Sequence, residues 1–130
     1  MYRPALIAGT LSGMIAVIAG AFGAHVLKGI LSQDQYAVFS TAISFCFYHT
    51  FALIFTGIIH RSFPHKVVRQ ATWLFLVGIM LFCGSLWLMN WLSVSGASLG
   101  PVGVITPIGG LCFILGWLFL FLGILKKEVA

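Results

Sequence analysis

Acid is what this sequence has least of. Two carboxylates, Asp34 and Glu128, stand against seven Lys and Arg in 130 residues. The paired carboxylates on which most hydrolytic and phosphoryl-transfer mechanisms depend therefore have no source. Neither a G-x-x-x-x-G-K-S/T loop nor an H-E-x-x-H pair occurs. The three cysteines, Cys46, Cys83 and Cys112, form no C-x-x-C pair, which argues against a disulfide framework or a dithiol oxidoreductase and leaves them as small packing residues. His60 and His65 flank Pro64 without the further ligands that a metal would need, so they read as facing headgroups. No metal or cofactor is expected, and the expectation is a non-enzyme. Linkers and shifts of composition are missing too, so residues 1–130 read as one domain.

Apolar sequence fills the space that charge leaves. Hydrophobic residues make up 61% of the chain and charged ones 7%, with a mean hydropathy of +1.12, too little polar surface to keep a soluble domain dissolved. A helix needs about 20 apolar residues to cross roughly 30 Å of hydrocarbon, where no backbone group can face lipid unpaired. Four stretches meet this requirement, at about residues 5–26, 37–59, 71–92 and 107–125. The expected fold is an all-α, integral membrane four-helix bundle.

The cations decide its orientation. With four spans, Arg3, Arg61, Lys66, Arg69, Lys126 and Lys127 share one side and only Lys28 lies opposite. Cytoplasmic segments collect Lys and Arg, so both termini are expected inside, with the protein a multi-pass resident of the inner (cytoplasmic) membrane. The net charge of +5 then reflects attraction to anionic headgroups, and no nucleic-acid partner is needed to explain it. Arg3 and the small residues Ala19, Gly20 and Ala21 also invite comparison with a signal peptide. At about 20 residues the first stretch is long for one, and removing it would leave basic connectors that disagree on a side.

Helices associate in lipid by close backbone approach and polar contacts. Gly9, Gly13, Gly20 and Gly23, with Ala16, line one stripe of the first span. Gly109, Gly116 and Gly123 recur every seven residues in the fourth. Such stripes serve packing within one bundle or contact with a second copy. Trp73, Trp87, Trp91 and Trp117, with Tyr2 and Tyr36, lie partly near span ends, where amphipathic rings favour headgroups. The third connector, about 93–106, is uncharged, and Thr106-Pro107 reads as the start of the fourth helix.

An ionisable group at membrane depth raises a functional question. His49 is that residue, near the middle of the second span. It reads as a neutral imidazole bonded to Ser12 or Ser85, with a proton relay or ion path as the alternative. His25, Asp34, Tyr36, Asn90 and Thr106 should share the outer boundary, Asp34 pairing with Lys28 or His25. That cluster either orders the loops or serves a pathway.

Several segments together, Gly20-Ala21-Phe22-Gly23-Ala24-His25, Tyr48-His49, Phe82-Cys83-Gly84-Ser85-Leu86-Trp87, Thr106-Pro107-Ile108-Gly109-Gly110 and Gly116-Trp117, resemble the YgdD/YwdK-like small inner-membrane proteins. These form domain of unknown function family 423 and are related to a vertebrate transmembrane protein, number 256. The resemblance runs nearly the length of the chain. It implies four spans and membrane residence and supplies no established activity. Family members more often resemble F-S-G-S-L-Y at 82–87, so Cys83 and Trp87 depart from the pattern, and a role needing that hydroxyl or phenol is in doubt here. The functional expectation is a structural, assembly or interaction subunit that forms a homo-oligomer or joins a larger membrane complex. The alternative is a small transporter or channel with a His49 pathway.

Overall fold

The computed structural model describes residues 1–126; Lys127 and Glu128 lie outside the described residues. Among the described residues, four helices are long and apolar enough to cross a bilayer. The first runs Arg3–His25, the second Gln33–Ile59, the third Lys66–Val94 and the fourth Val102–Leu125. A single 3-10 turn, Leu27–Gly29, links the first two. At 24 residues the fourth helix is about 36 Å long, enough to span the hydrocarbon with some tilt.

All four helices begin earlier than the apolar runs, the first three because polar residues continue a helix beyond the hydrocarbon. The second helix opens with a capping box in which Ser32 Oγ accepts from the Gln35 N–H at 3.2 Å. Gln35 Oε1 returns the bond from the Ser32 N–H at 2.9 Å. The fourth helix corrects the expected start at Thr106-Pro107. It begins at Val102, and Pro107 lies inside it. Proline there removes one bond, to the carbonyl of Gly103 four residues back, near an end where the helix tolerates the loss.

The first helix packs along the second and the fourth along the third, with the second and third joining the two pairs. Both glycine stripes are used in these contacts. A Cβ on Gly9 would meet the Ile54 side chain at 2.7 Å, one on Gly13 would meet the Thr50 methyl at 3.2 Å, and one on Gly23 would collide with the Phe39 ring. Gly20 is looser, with Ile43 at 3.7 Å. On the fourth helix, Gly109 abuts the backbone of Phe82, Gly116 the Phe75 ring and Gly123 the Val68 side chain. A second copy would need some other surface.

The core lies mainly between the second and third helices, around Ala42, Cys46, Leu53, Phe75 and Cys83. The third helix widens to a π segment at Ile79–Cys83 before returning to α geometry at Gly84. Phe82 sits in that segment, against Gly109 and stacked on Phe45 with ring centroids 4.7 Å apart.

Candidate functional site

Helical spacing brings Phe45, Tyr48 and His49 of the second helix toward Pro107, Phe113 and Trp117 of the fourth. His49 is 4% exposed. Its Nδ1 lies 2.8 Å from the Phe45 carbonyl, and its Nε2 lies 3.3 Å from Trp117 Nε1. A carbonyl only accepts and an indole N–H only donates, so together they fix one tautomer, neutral with the proton on Nδ1. The ring also stacks on Phe113 with centroids 3.5 Å apart and planes at 7°. Neither Ser12 nor Ser85, the expected partners, bonds His49 among the described residues. The Ser12 carbonyl faces the Cys46 thiol at 3.8 Å. Ser85 Oγ donates to the Phe82 carbonyl at 2.9 Å and bonds Thr106 Oγ1 at 2.7 Å. The sequence groups Trp117 with the span-end aromatics; the helical step from Phe113 is the clue to its place beside His49.

Tyr48 neighbours His49 on the rim of a groove of about 730 Å³ that opens sideways toward lipid. It is 60% exposed although it lies near the midpoint of a membrane helix.

The expected outer cluster divides. Asp34 and Asn90 both line one recess, with Ser93 and Leu99. Across it Gln35 Nε2 donates to Ser93 Oγ at 2.6 Å, a tie between the second and third helices that the sequence reading missed. Asn90 is buried, and its amide donates to the Leu86 carbonyl at 3.0 Å. Among the described residues Asp34 forms no pair with Lys28 or His25; it stays exposed on the first turn, where its charge suits the free N–H groups of the helix start. His25 is exposed at the end of the first helix and Tyr36 is half-buried. Thr106 belongs with Ser85, between the third and fourth helices.

The sequence also spells G-x-S-x-G once, at Gly96-Ala97-Ser98-Leu99-Gly100. A hydrolase elbow needs a strand-to-helix turn with a base beside the serine. Here the run is an exposed connector, with positive φ at Gly96 and Gly100, and Ser98 Oγ accepts the Gly100 N–H at 3.3 Å.

At the other end of the bundle, the Tyr2 N–H donates to the Gly57 carbonyl at 2.8 Å. The Tyr2 ring lies 5.2 Å from that of His60. Burial, then the Arg69 guanidinium, the N-terminal ammonium and His65 together hold the His60 imidazole below its ordinary 6.5.

A family described as "Protein of unknown function (DUF423)" matches residues 19–110. The chain is 40% identical over 121 residues to UPF0382 membrane protein SERP0230 of Staphylococcus epidermidis, covering 93% of this chain and 94% of that one. It is 38% identical, with the same coverage, to UPF0382 membrane protein SAB0533 of Staphylococcus aureus. With UPF0382 membrane protein YwdK of Bacillus subtilis the identity is 34% over 122 residues, covering 93% and 95%. No solved structure matches.

Proposed function

Because this chain belongs to the DUF423 family of membrane proteins, we propose that it acts without catalysis, as an interaction or assembly subunit of the cytoplasmic membrane with both termini inside. Tyr48 carries this reading. It holds a phenol on the lipid-facing rim of a groove, near mid-membrane and 60% exposed. A hydroxyl at that depth meets little water, so a neighbouring chain that bonds it is favoured. The surrounding rings of Phe45, Phe113 and Trp117 offer a rigid aromatic contact face. His49, with both nitrogens bonded inside the bundle, supports a packing role over a proton path.

Extraction in several mild detergents should recover the protein with a defined partner chain or as a homo-oligomer, and Tyr48→Ala should weaken that association. A lone monomer under every mild condition would overturn the proposal, as would proton flux in proteoliposomes above that of empty vesicles and abolished by His49→Ala. For orientation, a cysteine at Ser98 should react with an impermeant maleimide on intact cells and one at Ser62 should not; the reverse pattern would invert the topology.

A further inference from the structure

We infer that the groove between the first and third helices binds one anionic phospholipid, an acyl chain lying in the groove and the phosphate resting on the cationic end of the bundle. The inference rests on bilayer residence, and it is independent of the partner surface proposed above, which lies between the second and fourth helices. Pro4, Ile7, Leu11 and Ile15 wall one side of this groove, and Leu76 and Met80 the other, enclosing about 640 Å³. From Pro4 to Ile15 the helix advances about 16 Å. One leaflet of hydrocarbon, half of about 30 Å, is covered by an acyl chain of about that length. The Cys46 thiol in the wall already faces the Ser12 carbonyl, so the trough suits hydrocarbon.

The end of the bundle beside Pro4 has the opposite character. Pro4 follows directly on the N-terminal segment, where Tyr2 lies against His60. The N-terminal ammonium, Arg69 and His65 all act electrostatically on His60, so positive charge converges there from the N-terminus, the second connector and the third helix. Arg69 stands two turns before Leu76, on the face of the third helix that lines the groove. A guanidinium and an ammonium group at headgroup depth, at the N-terminal end of an acyl-length trough, match the phosphate of a membrane lipid.

The test uses the full chain in nanodiscs of mixed phosphatidylglycerol and phosphatidylcholine, with retained lipid read by native mass spectrometry. Wild type should keep one phosphatidylglycerol in preference to phosphatidylcholine by about tenfold. Arg69→Gln should erase the preference. Gly84→Phe should expel the lipid while preserving the fold, because Gly84 lines the groove and a Cβ there meets nothing within 4 Å. Should Gly84→Phe fail to fold, Ile7→Trp at an exposed wall position serves the same purpose. Equal retention of the two lipids by wild type, retention unchanged in a folded groove-filling variant, or displacement of the lipid by inorganic phosphate alone would each overturn the inference.

Discussion

Gly109 and Gly110 are neighbours in sequence and opposites in surroundings, so one methyl group added to each measures how closely the third and fourth helices approach. At Gly109 a Cβ would lie 2.8 Å from both Cα and Cβ of Phe82, with the Phe82 nitrogen closer still. A backbone cannot swing aside as a side chain does, so the cost belongs at the upper end of overpacking, about 3 kcal/mol. Replacing helical glycine by alanine returns about 1 kcal/mol of propensity, leaving Gly109→Ala destabilised by about 2 kcal/mol. At Gly110 the nearest atom is a Phe82 ring carbon at 3.8 Å, ordinary contact, so Gly110→Ala should keep the gain of about 1 kcal/mol. The two variants should differ by about 3 kcal/mol, more than 100-fold in the unfolding equilibrium. Reversible unfolding in mixed micelles, followed by circular dichroism across a denaturing-detergent titration, reads that difference. Equal effects of the two substitutions would refute the close approach of Gly109 to Phe82.

Two further expectations follow from the polar contacts. Trp117→Phe removes the donor to His49 Nε2 and should cost about 0.6 kcal/mol, up to about 1.7; the same unfolding titration measures it, and nitrogen NMR of His49 should show the Nε2 resonance move as its donor is lost. For His60, held below 6.5 first by burial and then by Arg69, the N-terminal ammonium and His65, the neutral form is the one the fold favours. Its contribution to stability is therefore present above pH 6.5 and lost as pH falls through the lowered value. Arg69→Gln should raise the titration midpoint of His60, read by proton NMR, and an unchanged midpoint would remove Arg69 from its surroundings.

Hydropathy made the four spans legible, because hydrocarbon thickness constrains every apolar helix alike. Helix ends were less legible, and for different reasons. Ser32 and Gln35 do spell a capping box, a signal present in the sequence ahead of the apolar run. Pro107 resembles a first-turn proline and instead sits within its helix, since proline chemistry fits both settings. The glycine spacing defined stripes, whereas only the packed structure assigns one to the second helix and the other to the third. His49 was visible as a polar residue at depth. Its partners were not, because the choice of Trp117 over Ser12 or Ser85 depends on how the helices are rotated about their axes.

The π segment at Ile79–Cys83 amounts to a splice in the third helix. The wide turn takes up one residue more than an α turn, so the halves on either side keep nearly the phase of an unbroken helix. Trimming one residue there would return the segment to α geometry and leave Ser85 near Thr106 and Asn90 near its recess, whereas the same deletion within the α portion would swing everything beyond it by about 100° about the axis. The segment is thus the one place in the third helix where a one-residue change of length is absorbed.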